Sequence, residues 1–248
     1  MTPEDLLELF ERAAVAVRGA VTGIAHDELR NRTDRPGQYA LDLVADAAAL
    51  AVLTRGPLCV MSEESAFTGP RGASITVVLD PVDGSTNCSR GLPYWATSLC
   101  AVDRDGALAS LVVNQATGST TTAIRGVGAW RDGRPLQASS VRRVDEAVIA
   151  ISSLPPRVLP WRQFRAMGSA ALALCDVAAG AFDGYVDAGR YHAPWDYLGG
   201  VLACREAGAF VQDASQLPLD VTEHDARRQI LAGCTKELYI ALRNAAGA

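Results

Sequence analysis

The run Leu79-Asp80-Pro81-Val82-Asp83-Gly84-Ser85-Thr86-Asn87 is where this chain could do chemistry. A β-branched, apolar segment (Ile75-Thr76-Val77-Val78-Leu79) gives way there to turn residues, and two carboxylates stand three positions apart at the junction. Two negative charges at the end of a buried strand repel each other and lose hydration unless a cation sits between them. A divalent metal held through carboxylate oxygens is the simplest such cation. The following Gly84-Ser85-Thr86-Asn87 offers backbone N–H groups and hydroxyls at an expected helix start, a place suited to a phosphate.

Three more acids, Asp42, Glu63 and Asp196, stand at expected element ends. Each has a plain structural use: Asp42 or Asp196 alone as a helix cap, Glu63 with Glu64 as a solvated turn, Asp80 with Asp83 as an Asx turn around Pro81. Taken together, so many acids at the ends of apolar elements are costly unless a metal gathers them. Of the three histidines (His26, His192, His224), only His192 lies near a candidate acid. An oxygen-only ligand set favours Mg²⁺, with Mn²⁺ as the alternative, over Zn²⁺. Two such ions about 3.5–4 Å apart, sharing one Asp, would clamp the attacking and leaving oxygens of an in-line displacement on phosphorus. Phosphomonoesters are the substrates whose hydrolysis needs the largest help, up to ~10²¹-fold.

The elements that must position these residues are readable from pattern. Thr2-Pro3-Glu4-Asp5 gives an N-cap, a proline at the first helical position and early acids; Leu6, Phe10, Ala13, Val17 and Val21 then mark one helical face. Residues 31–39 are a polar loop, and a second helix is expected from about Leu41 to Thr54, with Asp42 and Asp46 on one side of it. Leu58–Met61 reads as a short buried strand ending at Glu63-Glu64. Ser98–Val102 and Leu108–Val113 form a hairpin around Asp103-Arg104-Asp105-Gly106, and Thr121–Ile124 with Gly128–Arg131 forms another. Val148–Ile151 opens a strand–helix alternation. Within it, helices are expected at Ala170–Ala179 and Asp196–Ala207, stopped by Gly180 and Gly208, then strands at Phe210–Val211 and Ile230–Ala232 and a helix at Thr235–Asn244. The expected organisation is an α+β half over residues 1–147 that carries most of the acids and an α/β half over 148–248 that supplies Asp196, with Ser153-Leu154-Pro155-Pro156 as a hinge.

Composition narrows the class. With 248 residues and a formal net charge of −5, the chain can bury a real core and has no basic face for nucleic acid or a membrane surface. The longest apolar run, Ala47–Leu53, is too short to span a bilayer. Glu4, Asp5, Glu8 and Glu11 argue against a signal peptide. Cys59, Cys88, Cys100, Cys175, Cys204 and Cys234 lack Cys-x-x-Cys spacing and read as reduced, buried thiols of a cytoplasmic protein.

Glu63-Glu64-Ser65, Asp80-Pro81-Val82-Asp83-Gly84-Ser85-Thr86-Asn87 and Trp195-Asp196 closely resemble the inositol monophosphatase family, lithium-sensitive and Mg²⁺-dependent phosphatases related to fructose-1,6-bisphosphatase. Gly168-Ser169-Ala170-Ala171-Leu172, Val186-Asp187 and Glu206-Ala207-Gly208 fit as well. The resemblance implies a layered αβαβα sandwich, a homodimer, and two or three Mg²⁺ ions. Glu63, Asp80 and the Val82 carbonyl would hold the first ion, and Asp80, Asp83 and Asp196 the second; a third would lean on Glu63. It further implies that Ser85, paired with Asp42, activates the attacking water, that the N–H groups of Gly84 and Ser85 cradle the phosphate, and that Gly168, Ser169 and Ala170 line the substrate pocket. Asp187 falls where the family has a Glu that bonds a substrate hydroxyl.

The rim departs from that pattern. Asp187 is one methylene shorter than the Glu, and two extra residues precede Trp195-Asp196, so that Arg190, Tyr191 and His192 could reach a substrate. Gly37-Gln38-Tyr39-Ala40-Leu41 replaces the usual segment before Asp42, and Tyr197-Leu198-Gly199-Gly200 a usual small-residue run. The expected activity is therefore phosphatase action on a small polyol or sugar phosphate, inositol-1-phosphate first. The alternatives are fructose-1,6-bisphosphate or dual specificity, histidinol phosphate or a 3'-phosphonucleotide, and a non-catalytic binding protein on the same fold.

Overall fold

The structure is a computed structural model that describes residues 1–189 and 191–246. Arg190, one of the rim residues singled out above, lies outside the described residues.

Two helices open the chain, α1 (Pro3–Thr22) and α2 (Ala40–Leu53). Strands β1 (Cys59–Ser62), β2 (Ala66–Thr68) and β3 (Thr76–Asp83) follow, then the short helix α3 (Ser85–Ser89). The meander β4 (Ala96–Asp103), β5 (Gly106–Asn114), β6 (Thr120–Ile124), β7 (Gly128–Arg131) and β8 (Arg134–Pro135) completes an eight-stranded sheet in the order β2-β1-β3-β4-β5-β6-β7-β8. The second sheet is built from β9 (Val148–Ile151), β10 (Gln163–Arg165), β11 (Gly184–Val186), β12 (Phe210–Asp213) and β13 (Ile230–Gly233), ordered β10-β9-β11-β13-β12. Helices α4 (Ala170–Ala178) and α5 (Pro194–Glu206) interrupt it in sequence, and α6 (Lys236–Ala246) ends the described chain.

Side-chain alternation along the strands assigns the layers. Val77, Leu79, Leu99 and Ala101 pack with Leu6, Phe10, Ala13, Val17 and Leu53 of α1 and α2. Their neighbours Val78, Cys100 and Val102 point the other way, into a core with α4, α5 and the inner face of the second sheet (Ala150, Tyr185, Ile230, Ala232). Ile149, Ile151, Val186 and Leu231 face outward again, onto Leu238, Tyr239 and Leu242 of α6. The result is an αβαβα sandwich. Helices α4 and α5 are buried almost all round because a sheet covers each side of them. That explains Gly199 and Gly200: a Cβ would fall 2.8 Å from Ser98 Oγ at the first and 2.5 Å from Leu174 Cβ at the second.

The structure shifts several expected boundaries. β3 runs on through Pro81 to Asp83 where the pattern ends it at Leu79, so both acids belong to the strand, with a bulge against β4 between Asp80 and Asp83. Pro81 has no N–H to give the ladder, and a bulge is where a strand tolerates that. α5 starts at Pro194, ahead of the expected Asp196, with proline at a first-turn position. The pieces β2, β8, β10 and β11, of two or three residues each, had no periodicity to announce them. All six cysteines are buried and unpaired. Among the described residues no helix is long and apolar enough to cross a membrane.

Candidate active site

Three helix starts and the end of β3 converge on one point. Asp80 and Asp83, both buried, come from β3, and Asp196 comes from the first turn of α5. One carboxylate oxygen from each lies within 4.8 Å of the others. Neighbouring groups fix each acid. Asp80 Oδ1 accepts the Val82 N–H (3.0 Å). Asp83 Oδ2 accepts the Ser169 hydroxyl (2.6 Å) and the Ala171 N–H (2.7 Å) at the start of α4. Asp196 Oδ2 accepts the Ala193 N–H (2.7 Å), so Asp196 is a helix cap as well as a member of the cluster.

Asp42 behaves likewise. Its Oδ2 accepts the Tyr39 N–H (2.8 Å) at the start of α2, while Oδ1 is buried without a hydrogen-bond partner. Ser85 stands beside it, its hydroxyl donating to the Val82 carbonyl (2.9 Å). Glu63 follows β1 and lies outside the three-acid cluster, yet its charge is felt by Asp80 and it feels Asp196. Glu64 turns away to Gln38 and Arg35, and Asp46 is taken up by the hydroxyls of Ser62 and Ser65.

Burial, and then mutual repulsion, penalise charge here. Burial and the neighbouring Asp196 push Asp83 up to about 6 from 3.8. Burial drives Asp80 and Glu63 well above the usual carboxylate range, Glu63 and Asp83 adding to the push on Asp80 and Asp196 to that on Glu63. Burial also lifts Asp42 to about 6, against the opposing pull of Ser85 and the Tyr39 N–H. A buried, oxygen-only donor set whose members repel one another fits a hard divalent cation. The sign of the linkage follows. Folded-state values above the unfolded ones penalise the metal-free fold increasingly as pH rises from about 4 through 6, and a bound cation removes the penalty. The rise in Tm on adding Mg²⁺ is therefore expected to grow between pH 5 and pH 7.5 in thermal unfolding scans. An equal rise at every pH would contradict the shared cation.

Gly84 makes the turn from β3 into α3 with φ +97°. A Cβ there would lie 3.0 Å from the Gly168 carbonyl oxygen and 3.2 Å from that of Tyr94. Asn87 ties the same two segments by donating to the Tyr94 and Met167 carbonyls, 2.7 Å each. Gly84→Ala should cost about 1–2 kcal/mol from the left-handed backbone alone, read as a lower midpoint in urea unfolding. A variant as stable as wild type would show that the turn relaxes freely.

A hollow of about 180 Å³ opens beside the cluster, lined by Asp83, Ser152, Gly168, Ser169, Ala170, Tyr185 and His192 among others. Larger hollows of about 530 and 590 Å³ along α1 contain none of the clustered acids. Of the residues expected at the rim, Tyr191 points to solvent, 78% exposed, and Asp187 is buried, only 1% exposed. The sequence reading did not pick out Tyr185 or Ser152. Tyr185 is the middle residue of β11 and Ser152 follows the last residue of β9, and the pairing of these strands brings them together.

An acid cluster of this kind, set between strand ends and helix starts of an αβαβα sandwich, offers a divalent cation a site. Comparison with known proteins gives the family: the inositol monophosphatase family model matches residues 58–247, and the chain belongs to that family. It is 31% identical over 242 residues, 93% of each chain, to a fructose-1,6-bisphosphatase/inositol-1-monophosphatase of Archaeoglobus fulgidus. It is also 31% identical over 169 residues, 62% of each chain, to the Nus factor SuhB of Vibrio cholerae. Among solved structures, the extragenic suppressor protein suhB of Bartonella henselae superposes with a TM-score of 0.83 at 27% identity, covering 98% of both chains.

Proposed function

We propose that this protein is a Mg²⁺-dependent phosphatase that hydrolyses a small polyol or sugar monophosphate, with inositol-1-phosphate the first choice. The observation that carries the reading is the convergence of Asp80, Asp83 and Asp196 within 4.8 Å, beside a hollow of about 180 Å³. That volume is about that of six water molecules at about 30 Å³ each, room for a small polyol.

In this reading Glu63, Asp80 and the Val82 carbonyl would hold one cation, Asp80, Asp83 and Asp196 a second, and Glu63 a weaker third. Such cations would neutralise the phosphate and stabilise the charge that develops on the attacking and leaving oxygens. The chain supplies the rest. Asp42 Oδ1, buried and without a partner, is a ready proton acceptor, and Ser85 beside it, once its hydroxyl turns from the Val82 carbonyl, would pass on a proton from the attacking water. The N–H groups at Gly84 and Ser85 face the phosphate at the start of α3. Gly168, Ser169 and Ala170 form the wall against which the alcohol part rests, and Ser169 and Ala171 keep Asp83 aimed.

The A. fulgidus relative, whose name joins two activities over almost the full length, favours a second reading: dual specificity that includes fructose-1,6-bisphosphate. The SuhB relatives raise a non-catalytic role, but no acid of the cluster is missing here. A phosphate-release screen with Mg²⁺ over inositol-1-phosphate, fructose-1,6-bisphosphate, histidinol phosphate and a 3'-phosphonucleotide separates them. Fastest release from inositol-1-phosphate is expected. Fastest release from the bisphosphate would move the assignment to the sugar, and no release from any would leave the binding role.

A further inference from the structure

We propose that His192, braced by Tyr185, reads the hydroxyl of the substrate alcohol, and that Asp187 is a positioning residue behind it. This rests on the polyol-phosphate reading above and names the group that would select the polyol.

One oxygen of Asp187 is already taken within the chain. Its Oδ1 accepts the Ser152 hydroxyl (2.6 Å) and the Gly189 N–H (2.8 Å). Its backbone carbonyl accepts Gln229 Nε2 (2.9 Å) and its N–H donates to the Ile230 carbonyl (2.9 Å). The remaining oxygen, Oδ2, is buried without a hydrogen-bond partner among the described residues, and Asp187 is not among the residues lining the hollow, so that oxygen does not open onto it. This shorter acid is held by Ser152 and Gly189, away from the hollow.

His192 does line the hollow, across from Asp83. Its backbone is pinned by the Arg228 N–H, which donates to the His192 carbonyl (2.8 Å). Its ring is pinned by the Tyr185 hydroxyl, 2.6 Å from Nε2. Tyr185 is itself rigid, wholly buried in the core between the second sheet and α4. The other ring nitrogen, Nδ1, makes no hydrogen bond among the described residues. Its nearest acid oxygen, Asp196 Oδ2, is 3.5 Å away and already accepts the Ala193 N–H. At 3.5 Å that contact is longer than a good hydrogen bond, so a substrate group can compete for Nδ1 at the boundary between the acid cluster and the hollow. A substrate hydroxyl next to the phosphoester carbon is the group that reaches that boundary. An aryl phosphate without hydroxyls leaves Nδ1 unfilled, which is the kind of difference on which a site discriminates.

The test compares inositol-1-phosphate with p-nitrophenyl phosphate, which has no alcohol hydroxyl, in wild type, His192→Leu and Asp187→Asn, all in saturating Mg²⁺. The readout is the ratio of the two kcat/KM values. In His192→Leu the ratio should fall about 10-fold or more, mainly through KM for the polyol. Asp187→Asn, whose amide oxygen can keep the Ser152 and Gly189 bonds, should hold the ratio within about 3-fold. The Mg²⁺ concentration for half-maximal rate is measured in each. A ratio unchanged in His192→Leu, with both substrates losing together and the Mg²⁺ requirement raised, would make His192 a support for Asp196 and overturn the proposal. So would an Asp187→Asn ratio that falls as far as that of His192→Leu. A wild type that turns over both esters without preferring the polyol would instead overturn the polyol reading beneath it.

Discussion

Asp83→Asn is expected to fold like the wild type and to release phosphate about 10³-fold more slowly or worse. The asymmetry comes from how Asp83 is held. Its Oδ2 takes the Ser169 hydroxyl and the Ala171 N–H, and the single oxygen of an asparagine can keep both. The amide nitrogen is then turned toward Asp80 and Asp196, a donor where a cation needs an acceptor. The fold itself loses nothing, because burial and Asp196 make the Asp83 charge unfavourable when no cation shares it. Without Mg²⁺ the variant should therefore unfold no earlier than wild type, and with Mg²⁺ it should gain less. A variant that keeps wild-type turnover would remove the basis for placing two cations here.

Ser85→Ala should cost about 10²-fold in kcat, with the fold intact. The hydroxyl links the Val82 carbonyl to the neighbourhood of Asp42, whose Oδ1 waits buried and unpaired. If Ser85 relays the proton as proposed, removing it breaks the route from the attacking water to Asp42. It also changes the pH profile in a definite direction. Ser85 lowers the Asp42 pKa against the burial that raises it to about 6. Without Ser85 that value rises, and because Asp42 must be ionised to accept a proton, the acid limb of the rate profile should move to higher pH. A loss of rate with an unmoved acid limb would mean that Ser85 acts on the phosphate and not through Asp42.

The acid cluster was legible in the sequence because its residues carry a cost that packing cannot explain. Asp80 and Asp83 end an apolar strand, and Asp42 and Asp196 each interrupt an apolar helix start. The cap reading and the site reading turned out to be compatible: Asp42 caps with one oxygen and leaves the other buried and free, and Asp196 caps with Oδ2 while standing in the cluster. The layers came from the resemblance alone: Val77-Val78-Leu79 and Ile149-Ala150-Ile151 are apolar throughout, and only the structure shows which of them faces which core.

The substrate side was not legible in the same way. The hollow there is lined by Tyr185, Ser152 and His192, of which the first two meet through the pairing of β11 with β9 and the third is held by a bridge to Arg228. Sequence placed Asp187 there by position in a motif. What decides its role is whether its oxygens are already filled, and Ser152 and Gly189 fill one of them. No spacing rule could say that.

Phosphate release from inositol-1-phosphate by the purified wild-type protein, with Mg²⁺ and again after EDTA, tests the two-cation phosphatase most directly. Steady release in Mg²⁺, abolished by EDTA and restored by added Mg²⁺, is the expected result. Release that continues unchanged in EDTA, or no release from this or any other small phosphomonoester in Mg²⁺ or Mn²⁺, would contradict it.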